Sequence, residues 1–251
     1  MSESFRALCT DFYVNQRLNL KLDLPRKREP ILDTFERVRR QCPSMTQFKR
    51  YRDELALESD RTDPQPKWLA VRTNDIRSGS VNPDSLTSAY EYHSHILEIA
   101  PYFLSISPLD IDFLEVLFGF DLAFAGNHDQ CVFEALHEGS PLAGLSDGDS
   151  ASPVDCQPFL TLRLNEPGSI EVEFEVKTRS SRRARESEHA AGVDPISVYL
   201  TLRQAGPVKE VGALPACFQR LASRGESIVE SRVLPSLIHP IRQAIAARGG
   251  A

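Results

Sequence analysis

The chain has 251 residues, 41% of them hydrophobic and 25% charged, with a formal net charge of −6. That composition suits a soluble globular protein, long enough to bury a core without disulfides or metal. Five scattered cysteines with no CxxC pair argue against a disulfide framework and a zinc module, and for free thiols in a reducing compartment.

The start, MSESFRALCTDFY, has no apolar core of the signal-peptide kind. The longest uncharged apolar run, IAPYFLSISPL, falls short of the ~20 residues needed to span a bilayer. A cytoplasmic protein is expected. In FYVNQRLNLKLDL, apolar Phe12, Val14, Leu18, Leu20, Leu22 and Leu24 alternate with polar residues, which marks a half-buried strand. PILDTFERVRRQC carries Ile31, Phe35, Val38 and Cys42 at helical spacing, with Pro43 to stop it. TQFKRYRDELALES and KWLAVRTNDIRSG read as one strand each. NPDSLTSAYEYHSHILEIAPYFL reads as a helix capped by Asn82 or Asp84 and ending near Pro101.

A second series begins with FLEVLFGFDLAF, again alternating, and continues with a helix at NHDQCVFEALHEG, where Asn127 and Gln130 form a capping-box-like start. FLTLRLN, SIEVEFEVKT and PISVYLTLRQ predict three strands, with Ile170, Val172, Phe174 and Val176 facing a core. Residues 179–194, RSSRRARESEHAAGVD, are too polar to pack. The tail from Leu214 to Arg248 predicts short helical pieces broken at Gly225, Pro235 and Pro240.

The order βαββα then βαβββα predicts an α+β fold. It would comprise two related βαββα-type halves, a mainly antiparallel sheet covered on one face by helices, and a C-terminal helical tail. The halves divide at residues 1–107 and 108–251, in one curved sheet or two packed sheets. This plan, joined by PYFLSISPLDIDFLEVLFGFDL, resembles an uncharacterised bacterial family of sporadic distribution. The resemblance implies no activity and no catalytic residue.

Few residues suggest chemistry. In EYHSHILEIAP, His93 and His95 point roughly 200° apart on a helix and cannot share an ion. His93 falls in the apolar stripe and His95 on the polar side. Asp110 and Asp112 form a DxD, a pattern that can hold Mg²⁺ but also suits a first helical turn. His128, Asp129, Cys131, Glu134 and His137 share the segment after the second long strand. A hydrolase site, metal-dependent or carboxylate/histidine, would need at least three of Asp110, Asp112, His128, Glu134 and His137 to converge in a cleft. FKRYRDE interleaves Phe48, Lys49, Arg50, Tyr51 and Arg52, as single-stranded nucleic-acid sites do. No phosphate-cradling glycine loop and no nucleophile elbow occur in the sequence, and no cofactor or metal is expected.

Charge is the most organised feature. Residues 17–52 hold eleven basic and four acidic side chains, whereas residues 84–175 hold seventeen acidic and one basic, Arg163. A basic run, Lys177 with Arg179, Arg182, Arg183 and Arg185, follows. Such asymmetry bears on association. The leading expectation is a non-enzymatic binding or assembly protein, acting through sheet faces and bipolar charge on a protein partner or on itself. The hydrolase and the nucleic-acid binder are the alternatives. No membrane partner is expected.

Overall fold

The structure is a computed structural model, and it describes residues 5–25, 27–60, 62–146, 152–164, 170–178 and 194–249. Among these residues nine strands form one antiparallel sheet. Chain order runs β1 (Asp11–Leu20), α1 (Arg28–Gln41), β2 (Gln47–Arg50), β3 (Glu54–Glu58), β4 (Lys67–Arg72), β5 (Asp75–Val81) and α2 (Leu86–Phe103). The second series is β6 (Ile111–Leu122), α3 (His128–His137), β7 (Phe159–Arg163), β8 (Ile170–Lys177), β9 (Ile196–Ala205), α4 (Leu214–Ile228) and α5 (His239–Gly249).

The spatial order is β2-β3-β4-β5-β1-β6-β9-β8-β7. Each series opens with a long central strand. A helix then carries the chain to an edge, and a meander returns it to the centre. β1 and β6 meet antiparallel in mid-sheet, with Val14 opposite Phe118 and Leu18 opposite Leu114. The α+β class and the antiparallel sheet are as the sequence predicts, and the sheet is single.

The first series is βαββββα, two strands richer than the sequence reading. FKRYRDE is a tight hairpin, closed by Tyr51 N–H donating to Glu54 O at 2.9 Å. KWLAVRTNDIRSG likewise folds back on itself as β4 and β5. Neither turn carries the Gly or Pro signal that would have divided it.

The alternation of β1 and β6 places Phe12, Val14, Leu18, Val116, Phe118 and Phe120 on the helix-covered face, all fully buried. α2 starts at neither Asn82 nor Asp84. Ser85 caps it, its side chain accepting from Ser88 N–H at 3.0 Å. Asn82 is held elsewhere, accepting from Phe12 N–H and donating to Asp11. Asn127 does cap α3, accepting from Gln130 N–H at 3.1 Å.

The tail is not broken into short pieces. α4 runs through Gly225, and residues Val229–Ile238 continue as a wide π-helical stretch into α5. The wider turns pass Pro235, which has no N–H to place in an α ladder. Gly225 lets α4 approach the sheet, since a Cβ there would sit 2.3 Å from the Phe118 ring.

Phe174 departs from its expected burial: Ile170, Val172 and Val176 are buried, whereas Phe174 is half-buried beside a surface groove. The polar stretch with Arg182, Arg183 and Arg185 lies outside the described residues. Among the described residues no helix is long and apolar enough to cross a membrane.

Candidate binding surfaces

The residues proposed for chemistry do not converge. Asp110 accepts from Leu22 N–H at 2.9 Å, and Asp112 accepts from the Asn19 amide at 3.0 Å, so both tie the start of β6 to the end of β1. His128 lies beyond the other end of β6, a strand length of roughly 36 Å away at about 3.3 Å per residue. Both His128 nitrogens face backbone carbonyls, Thr178 O at 2.9 Å and Phe124 O at 2.8 Å. Glu134 accepts two bonds from Arg248, which holds its carboxyl below the usual range. His137 packs on the Phe133 ring. Asp129 is buried and accepts from Cys156 N–H and the Thr178 hydroxyl. Burial pushes the Cys131 thiol up, which leaves it a poor nucleophile. Among the described residues no three His, Cys, Asp or Glu side chains gather to hold a metal ion.

His93 is a core residue. It is fully buried between the rings of Tyr92 and Phe218. Its Nε2 lies 3.1 Å from Val14 O, and its Nδ1 lies 2.8 Å from the Ser78 hydroxyl. The Ser78 hydroxyl is also 2.9 Å from the Gln16 amide oxygen, Oε1. A neutral ring fits, with Nε2–H donating to the carbonyl. Nδ1 accepts from Ser78 once the Gln16 amide is turned so that its NH2 donates to that hydroxyl, which also gives the Gln16 nitrogen a bond it otherwise lacks among the described residues. Burial lowers its pKa to about 3. His95 is not a free solvent residue either: its side chain is only 11% exposed, 3.8 Å from Glu98. It is shielded because α1 packs beside α2.

The uncovered face of the sheet carries a row of charge. Arg17 and Arg77 both pair with Asp75, Arg203 with Glu115 and Glu173, and Arg163 with Glu171. Lys49 pairs with Glu58, Arg72 with Glu54 and Lys177 with Glu175. None of these pairs crosses from one half to the other, so they do not neutralise the basic half with the acidic one.

No protein-family model matches the chain, and no curated protein does. The geometry of the two sheet edges therefore carries the functional reading.

At one edge lies β7, exposed along its whole length. Phe159 is 60% exposed, Leu160 54% and Leu162 37%. Leu160 and Leu162 wall an apolar groove of about 470 Å³, closed on its far side by Ala135, Leu136 and Leu237. Pro158 O and Leu164 N–H bond to β8, which fixes the parity of the strand. Phe159, Thr161 and Arg163 therefore turn their N–H and C=O groups outward, away from the sheet.

At the other edge a cleft of about 660 Å³ opens between α1 and the β2–β3 hairpin. Leu24, Ile31 and Val71 floor it. Arg28, Arg50 and Arg52 rim it, with Phe48 52% and Tyr51 45% exposed beside them. Arg72 is paired with Glu54, whereas Arg28, Arg50 and Arg52 have no carboxylate partner among the described residues. Sequence reasoning singled out Phe48 to Arg52 but missed Arg28, which only the fold brings alongside. It missed the β7 groove altogether.

Proposed function

We propose that this is a non-enzymatic binding and assembly protein of the cytoplasm, and that it assembles by pairing β7 with β7 of a second copy. The observation that carries the reading is the exposed, apolar β7 edge, unpaired among the described residues. Protein edges are usually blunted by charge, proline or a covering element, and β7 has only Arg163. The strand is also self-complementary. A two-fold axis at Thr161 sets Thr161 opposite its copy and Phe159 opposite Arg163, and the outward groups of these three residues form a ladder of six hydrogen bonds. On the uncovered face the Arg163 guanidinium then lies over the partner's Phe159 ring. On the helix side Leu160 meets the partner's Leu162 and closes the groove. No like charges face each other.

The five free cysteines support a reducing compartment. The common winding of the two halves supports an internal duplication, the second half keeping one strand fewer.

Sedimentation across the micromolar range tests the assembly. The wild type should dimerise, and the dimer should hold as salt rises, because its contacts are backbone and apolar. Thr161→Pro, which removes the central N–H, and Leu160→Lys should be monomeric with unchanged circular dichroism. A wild type that stays monomeric, or variants that dimerise equally, would refute edge pairing. Association that vanishes as salt rises would assign assembly to the bipolar charge instead.

A further inference from the structure

We infer that the cleft between α1 and the β2–β3 hairpin binds a nucleotide, its phosphate on the arginine rim and its base against Phe48. The charge balance selects an anion. Three guanidinium groups, Arg28, Arg50 and Arg52, and one carboxylate, Asp53, line the cleft beside the Arg72–Glu54 pair, which turns to the uncovered face, in a chain whose net charge is −6. Arg72 is already committed to Glu54 at 2.9 Å, so Arg28, Arg50 and Arg52 are the ones free to meet a ligand.

The lining selects more than charge. A bare anion would use the rim and leave the floor of Leu24, Ile31 and Val71 empty. Phe48 meets Phe35 edge-on at 5.9 Å and keeps its outer surface open. Phe48 and Arg50 share one side of β2, since Phe48 stands opposite Leu57 and Arg50 opposite Leu55. Ring and guanidinium are thus two residues, roughly 6.6 Å of strand, apart on the same side. A nucleotide presents that pairing: a flat apolar ring at one end and a phosphate at the other. Guanidinium groups suit phosphate through their forked donors, and aromatic rings stack on any base. An acidic peptide would satisfy the arginines but has no need of Phe48.

α1 adds an independent sign. Lys27 and Arg28 stand at its N-terminal end without a side-chain cap. Cations there oppose the helix dipole. Local choices that weaken a helix are expected where a binding site needs the charge.

The same chemistry comes as a free nucleotide or as one unit of a single strand, and titrations of the full chain separate them. The probes are AMP and ATP by calorimetry and labelled oligouridylate and oligoadenylate by fluorescence anisotropy. Arg50→Gln with Arg52→Gln, both at exposed positions, should weaken binding at least tenfold and flatten its dependence on salt. Phe48→Leu should weaken nucleotide and oligonucleotide binding several-fold while leaving the melting temperature close to wild type. Oligonucleotides binding far more tightly than AMP would assign the cleft to single strands; equal binding per site would assign it to free nucleotide. Absence of binding by every probe, or binding unaffected by the arginine pair, would overturn the inference. So would polyglutamate binding as tightly as the oligonucleotides and with indifference to Phe48→Leu.

Discussion

His93 allows a prediction in which one proton can be followed. Its ring is buried, neutral and held by Val14 O and the Ser78 hydroxyl, and its pKa is lowered to about 3 from an ordinary 6.5. In the unfolded chain it titrates near 6.5. Between these values the unfolded state binds a proton that the folded state refuses, so stability falls as pH falls through that window. The slope is about 1.4 kcal/mol per pH unit well inside it. From pH 7 to pH 5 the loss from His93 alone comes to about 2 kcal/mol, a large part of a stability of about 5–15 kcal/mol. Carboxylates of ordinary pKa stay mostly ionised over that range.

The assay is urea unfolding at pH 7, 6 and 5 for the wild type and His93→Gln. His93→Gln should be less stable at pH 7, because Gln cannot fill the space between Tyr92 and Phe218. Its disadvantage should shrink by about 2 kcal/mol at pH 5, since it has no proton to refuse there. Lys67, which also lowers the His93 pKa, and His95, itself lowered mainly by burial, are common to both proteins and cancel in the comparison. Parallel stability curves would show that His93 takes up its proton in the folded state, and the neutral buried assignment would be wrong.

Two further substitutions test the packing. Gly225→Ala replaces a poor helix former with the best one, a gain of about 1 kcal/mol in an isolated helix. Here the added methyl meets the Phe118 ring, so thermal melts should show a net loss of about 1–3 kcal/mol; a stabilised variant would mean α4 moves off the sheet freely. Phe118→Ala should cost about 3–5 kcal/mol in urea unfolding and Phe174→Ala about half as much, because Phe174 is half-buried; equal costs would contradict the open groove.

Much of the sheet was legible because a period of two is a local signal. β1, β6 and β8 each alternate over eight residues or more, and all three lie where the sequence placed them. The hairpins at Tyr51 and at Thr73 were not legible. Their strands are four to seven residues long and their turns use charged and polar residues without glycine. Pro235 and Gly225 read as breaks because an α-helix is the default expectation. A π stretch tolerates the first, and contact with Phe118 explains the second. Strand order is a different matter. FLTLR shows itself to be a strand, but nothing in those five residues tells that it ends the sheet. Edge status belongs to topology, and the exposed groove follows from edge status.

The two edges come from one plan and yet differ, and the difference traces to the crossover helices. Each half sends a helix from the sheet centre toward an edge. α1 has 14 residues and α3 has 10, a shortfall of about 6 Å at 1.5 Å per residue. The longer helix brings Phe35 onto Phe48 at the β2 edge, so the inner face there is largely covered and a cleft remains only at its rim. That edge strand also carries Lys49 and Arg50, charges that discourage pairing with another sheet. The shorter helix brings Ala135 and Leu136 to the far wall of the groove and leaves Leu160 and Leu162 bare. One turn of helix thus divides the charged edge, where we propose a nucleotide, from the apolar edge, where we propose another copy of the chain. The two edges stand eight strand spacings apart, roughly 38 Å before twist, too far for side chains at one to touch those at the other. Substitutions at the two should therefore act independently, so that a failure of edge pairing would leave the reading of the cleft intact, and the reverse.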